Sequence, residues 1–192
     1  MTLVMTSGPL AEPVSVADAK AHMRIDSTAE DTLIASLIVT SRLHIEAALG
    51  LALLTQAWSY FFDAWPRSRE IVLPLKPVQS IATVRIWAQD GTSQTVPADA
   101  YTLDGEGKPP RLVLSRTAAP PAPGRSASGI EIAFSAGYGD AGTDVPAPIR
   151  QALVLLVAHW FENREPVRAD APQAEIPHMV TTLLAPYRGR RL

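Results

Sequence analysis

Cysteine does not occur in this chain of 192 residues. Its absence removes a disulfide framework, a thiol nucleophile and any thiolate-held metal. An excess of one charge is lacking as well, because 17 Lys and Arg stand against 19 Asp and Glu for a formal net charge of -2. A protein whose affinity comes from neutralising many phosphates needs a basic surplus, so general nucleic-acid binding is disfavoured. Long apolar runs are missing too. The longest, residues 152–158, ends at His159, well short of the ~18 residues that mark a membrane span. Residues 1–13 show no basic stretch leading into an apolar one of signal-peptide length, so a soluble intracellular protein is expected. What is present is apolar material: 47% of the residues are hydrophobic and 19% charged, enough for a core in a length that suits one domain.

Local signals divide the chain into helical ends and a β-rich middle. Ser15 followed by Asp18 is a capping-box pattern, in which the hydroxyl accepts an N–H of the first turn and the carboxylate sits at the positive helix end. A short helix to about Arg24 follows. Ser27-Thr28-Ala29-Glu30 repeats the pattern before Leu33, Ile34, Leu37, Ile38, Ile45, Ala48 and Leu49, an apolar stripe at spacings of three and four. Gly50 supplies the stop. From Ala57 the period falls to two, with Trp58, Tyr60 and Phe62 on one side and Ser59 and Phe61 on the other. Further strands are expected at 70–73, 81–88, 94–96, 101–103, 111–114 and 129–134, with Asp90-Gly91 as a hairpin turn. Residues 117–129, rich in Pro, Gly and Ser, read as a loop. Asp144 is placed as the cap of a third helix entered through Pro146 and Pro148, with Ile149, Ala152, Leu153, Leu156, Val157 and Trp160 as its apolar face. A polar link, 165–175, precedes a short last helix from Pro177 carrying Val180, Leu183, Leu184 and Tyr187.

Few residues invite a chemical assignment. Gly137-Tyr138-Gly139-Asp140-Ala141-Gly142 formally matches the glycine fingerprint of dinucleotide sites. Residues 143–148 delay the following helix, however, and Glu162 lies on that helix rather than at the end of a second strand. A glycine-rich strand-to-helix turn is the better description. His159 and Glu162 are too few for a metal site. His22, His44 and His178 are isolated, and no G-x-S-x-G elbow marks a nucleophile. Arg188, Arg190 and Arg191 form the densest basic cluster, suited to an acidic groove on a protein partner. Trp65, in a turn-like Ala64-Trp65-Pro66, is the tryptophan most apt to face a subunit contact.

Several segments together resemble one family. They are 14–24 with its core Ala17-Asp18-Ala19-Lys20-Ala21-His22-Met23-Arg24, the Ala29-Glu30-Asp31 opening, and Leu73-Pro74-Leu75-Lys76-Pro77-Val78. More specific are the run from Ala136-Gly137-Tyr138-Gly139 through Asp144-Val145-Pro146-Ala147-Pro148-Ile149-Arg150-Gln151-Ala152 to His159-Trp160-Phe161-Glu162-Asn163-Arg164-Glu165, and Leu183-Leu184-Ala185-Pro186-Tyr187-Arg188. In this order they resemble the head-tail connector (adaptor) family of long-tailed phages and gene transfer agents, often labelled possible DNA-packaging proteins. The resemblance implies a subunit of a ring, commonly twelvefold, that docks beneath the capsid portal and extends the DNA channel toward the tail. It implies no catalytic residues and no cofactor. The Pro-rich 118–124 has no counterpart role in the family.

The expected fold is therefore α+β: a helical bundle from the N- and C-terminal helices (12–56 and 144–192) with a β-rich insertion at 57–135, all in a single connector domain. The expected partners are the portal protein, a tail-side neck or stopper protein and further copies of the chain. DNA passes through without sequence-specific binding, and no membrane is involved. Synthesis is expected in the bacterial cytoplasm, followed by incorporation into the particle neck. Tyr187, Arg188, Arg190 and Arg191 are the expected portal contacts and Trp65 the subunit contact. Two rivals remain: a small ligand- or anion-binding regulatory module using the turn 137–142, and a hydrolase with a dispersed triad.

Overall fold

The computed structural model describes residues 1–107, 109–163 and 176–188. It has the α+β composition expected, with four α-helices and two antiparallel sheets among the described residues. The chain forms two compact units.

The first unit comprises Met1–Pro9 and Gly50–Tyr138. Its strands are β1 (Thr2–Ser7), β2 (Gln56–Phe62), β3 (Glu70–Val72), β4 (Val78–Trp87), β5 (Ser93–Thr95), β6 (Tyr101–Asp104), β7 (Arg111–Leu114) and β8 (Ile130–Ala136). A five-stranded sheet runs β1-β2-β8-β4-β5 and a three-stranded one β3-β7-β6. The expected strands are thus all present within a few residues of their sequence bounds. β1 is the exception: residues 1–13 carried no strand expectation, and only pairing with β2 makes Thr2–Ser7 a strand.

The alternation read from β2 is realised in the register. Trp58, Tyr60 and Phe62 oppose Phe134, Ile132 and Ile130 of β8. They lie on the face that meets Leu112, Leu114 and Ile71 of the small sheet in one apolar core. Each fully buried Ile, Leu or Phe here contributes roughly 1.5–3 kcal/mol. The Asp90-Gly91 hairpin also forms. Gly91 has φ +89°, and the Asp90 carboxylate accepts the Thr92 N–H and hydroxyl at 2.9 and 2.7 Å.

The second unit comprises Leu10–Leu49 and the chain from Gly139 onward. It holds α1 (Val16–Met23), α2 (Asp31–Leu49), α3 (Ala147–Glu162) and α4 (His178–Leu184). The Ser15 capping box is formed as expected: the Ser15 hydroxyl accepts the Asp18 N–H at 3.0 Å and donates to the Asp18 carboxylate at 2.6 Å. α3 packs against α1, α2 and α4, with Ile149, Ala152, Leu153, Leu156 and Val157 buried. His44 of α2 meets Trp160 of α3 edge to face, 5.7 Å between ring centres.

Two capping expectations are corrected. Ser27-Thr28-Ala29-Glu30 meets α2 at Glu30, whose carbonyl accepts the Ile34 N–H at 2.9 Å, and not through the Ser27 hydroxyl. It makes a turn of its own, closed by the Asp31 N–H on the Thr28 carbonyl and the Ala29 N–H on the Ser27 hydroxyl, and the helix begins only at Asp31. Asp144 does not cap α3 either. Its carboxylate takes the Ala141 N–H at 2.9 Å, closing the 3-10 turn Gly142–Asp144, and Pro146 stands at the α3 cap. In both cases a short acidic or hydroxyl side chain found a nearer backbone donor.

α2 inverts the usual distribution of polarity. Arg42 and Glu46 are buried on its inner side, while its exposed residues include Ala35, Val39, Thr40, Leu43, Ala47 and Ala48 and none that is charged. Arg42 Nε reaches Glu12 at 2.8 Å and Nη1 reaches Glu46 at 2.9 Å. By length and composition α2 could cross a membrane. Its inner side instead packs against α3, and it carries ion pairs at Asp31, Arg42 and Glu46.

Candidate functional site

The glycine turn that most invited a chemical reading is closed by the protein itself. Gly137 has φ +142°, and a Cβ there would stand 2.4 Å from the Leu54 carbonyl carbon and oxygen. A Cβ on Gly139 would stand 2.2 Å from the Asp144 carboxylate, and one on Gly142 would stand 2.6 Å from the Pro13 carbonyl oxygen. These glycines serve close backbone approach. The Ala141 N–H, a donor an anion would need, is already held by a negative carboxylate. That charge repels the phosphate or carboxylate of a would-be ligand.

The histidines stay apart. His159 lies at the end of α3, where Asn163 Nδ2 donates to its carbonyl at 2.7 Å. His22 is exposed on α1. His178 opens α4, with its carbonyl accepting from Thr181 and Thr182. Among the described residues no three His, Asp or Glu side chains are grouped to hold a metal.

The expected contact residues are placed as follows. Tyr187 ends the 3-10 turn Ala185–Tyr187 after α4 and is half-buried. Arg188 is exposed, with its backbone N–H on the Ala185 carbonyl. Arg190 and Arg191 lie outside the described residues, as does the link 165–175. Trp65 is half-buried: its ring stands edge-on to Phe62 at 5.9 Å and its indole N–H donates to the Pro121 carbonyl at 2.9 Å.

That last bond reveals what sequence reasoning missed, the seating of the Pro-rich loop. Arg69 donates to the Ser115 and Ala118 carbonyls. The Gly124 N–H reaches Trp87 O at 3.0 Å, and the Arg125 guanidinium lies 4.8 Å from the Trp87 ring centre. The Ser128 N–H is held by Asp63 at 2.8 Å. The signal was the loop's paired prolines with one arginine, which sequence periodicity does not connect to Trp65 or Trp87. Beside the loop and β5 runs a groove of about 200 Å³, lined by Gln94, Thr95, Val96, Ala118, Pro120 and Pro121 among others.

A family model described as head completion protein matches residues 12–189, and the chain belongs to that family. Among solved structures it is similar to a chain from the neck of an empty gene transfer agent (GTA) particle computed with C6 symmetry, at 25% identity and TM-score 0.86. The match covers 100% of this chain and 97% of that one. A chain from the neck of a native GTA particle computed with C12 symmetry matches at 25% identity and TM-score 0.79, with the same coverage. A chain from the virion of a native GTA particle shares the fold, at 24% identity and TM-score 0.83. No match was found among curated proteins. Family and neighbours are structural components of particles, and the chain is not an enzyme.

Proposed function

We propose that this chain is a head-tail connector subunit, incorporated in the neck of a phage or GTA particle. Copies form a ring, twelvefold, that docks beneath the capsid portal and carries the DNA channel on to a tail-side neck protein. The observation that carries this is the end-to-end likeness to GTA neck chains, which covers 100% of this chain. The helical unit is the family's bundle and the strand-rich unit its insertion. A net charge of -2 suits a conduit along which DNA slides, since a strongly basic lumen would hold phosphates.

Tyr187, Arg188, Arg190 and Arg191 meet the portal, and the outer edge of Trp65 meets a neighbouring subunit. The experiment is assembly in the presence of portal rings, read by light scattering and electron microscopy. Copies should add to the portal as a closed ring, and deleting Gly189–Leu192 should weaken that association without unfolding the chain. Only monomers beside intact portals would refute the connector function; unchanged pull-down by the truncated chain would remove the C-terminal contact.

A further inference from the structure

The five-stranded sheet has two open edges, β1 of six residues and β5 of three. Edge strands are commonly guarded by charge, by proline or by shortness. β1 reads Thr-Leu-Val-Met-Thr-Ser, with neither charge nor proline. Only Leu3 is half-buried, and Val4 and Met5 are 44% and 46% exposed. Its one irregularity falls between Met5 and Ser7, which leaves Thr2–Met5 a regular template.

At the opposite edge β5 reads Ser-Gln-Thr, exposed throughout. Its bonds toward β4 and the flanking turn run from Val96 N–H to Val84 O at 2.8 Å and from Ala88 N–H to Thr92 O at 2.9 Å. Antiparallel alternation therefore turns the N–H and C=O groups of Ser93 and Thr95 outward.

Side-chain faces also agree. Cross-strand partners share a face. Following the registers, Met5, Trp58 and Phe134 share theirs with Phe62, Ile130, Ile86 and Gln94. Ile86 and Gln94 of that face line the groove of about 200 Å³, together with Thr95. Its volume is comparable to the ~150 Å³ of a cavity that admits a benzene ring, the size range of a methionine side chain.

We infer that β1 of one copy adds to the outer edge of β5 of the next, with its Met5 side chain seated in the groove between β5 and the Pro-rich loop. This rests on the ring proposed above and says how its subunits join. Main-chain bonds supply affinity and the groove supplies register, the division of labour found wherever a strand is added to a sheet. Neighbours alternate direction across β1-β2-β8-β4-β5, so β1 and β5 point the same way and the joint is parallel. A second copy is the fitting occupant because each copy carries both halves, one at each edge of one sheet. Contacts between unlike patches repeat head to tail and close into a ring when the rotation allows, whereas like-edge pairing stops at two copies.

Because the chain has no cysteine, the joint can be tested by cross-linking. One batch of full-length chain carries Thr2→Cys or Val4→Cys and a second carries Thr95→Cys, all three on one face of the sheet. The batches are mixed with portal rings and oxidised. The expected product is a covalent pair containing one chain from each batch, at least tenfold above that in either batch alone.

Thr95→Pro removes an outward N–H while leaving the bonds to β4 intact, and should reduce ring yield at least tenfold with an unchanged melting temperature. Rings that form without a mixed cross-link and survive Thr95→Pro would overturn the strand joint and leave the connector function standing. Failure of the unaltered chain to form rings on portals would overturn both. Cross-links within a single batch would show like-edge pairing and overturn the head-to-tail joint.

Discussion

Arg42 is the residue whose loss the helical unit should feel most. It is 6% exposed and bridges two carboxylates, Glu46 beside it on α2 and Glu12 from the segment before α1. Burial alone would lower its pKa, but hydrogen bonds and the charges of Glu12 and Glu46 outweigh that and hold the guanidinium above its ordinary range. Arg42→Met removes the cation and keeps much of the stem, leaving two carboxylates facing one another. Breaking a fully buried pair costs about 3–5 kcal/mol. The Glu12 side chain is 28% exposed and can rehydrate, which brings the expectation to roughly 2–4 kcal/mol.

For a chain of this length each kcal/mol lowers Tm by about 2–4 °C, so a fall of roughly 5–15 °C should appear in calorimetry or circular dichroism. Hydrogen exchange should place the loosening in α2. The triple variant Arg42→Met, Glu12→Gln, Glu46→Leu removes both carboxylate charges as well and should recover part of the loss. A single variant within about 2 °C of the parent, or a triple variant worse than the single, would refute the claim that loss of the buried cation from between these carboxylates is the cost.

Two further changes test the turns. Gly137→Ala forces a Cβ into the Leu54 backbone at positive φ, where strain and overpacking together cost about 3–5 kcal/mol; the variant should be largely insoluble or melt far below the parent, and near-normal melting would show that the turn can shift. Ser15→Ala should cost about 1 kcal/mol through the α1 cap, measured by urea denaturation. The Ser15 hydroxyl and backbone N–H hold the Asp18 carboxyl below the usual range. With its folded pKa depressed, Asp18 adds stability that is present above its unfolded pKa and lost as pH falls through the folded one. The group is solvent-exposed, so the effect is small, and Ser15→Ala should reduce it without removing it, because the backbone N–H remains.

Sequence alone determined the local pieces. The Ser15 box, the Gly50 stop, the Asp90-Gly91 hairpin and the period-two strands each depend on neighbours a few residues away, and all formed. The resemblance fixed the family for a similar reason: its motifs recur in order along the chain. Tertiary structure decided the rest, because the deciding contacts lie far apart in sequence. Thr2–Ser7 has no strand pattern of its own and becomes an edge only against β2. The Trp65 indole N–H is held by Pro121, 56 positions away, a pairing no local pattern announces. Asp144 had two backbone ends within reach, and the 3-10 turn closed before α3 began. α2 shows the same division. Its spacing announced a helix with an apolar stripe, but only packing against the rest of its unit turned Arg42 and Glu46 inward, because Glu12 was there to share the buried charge.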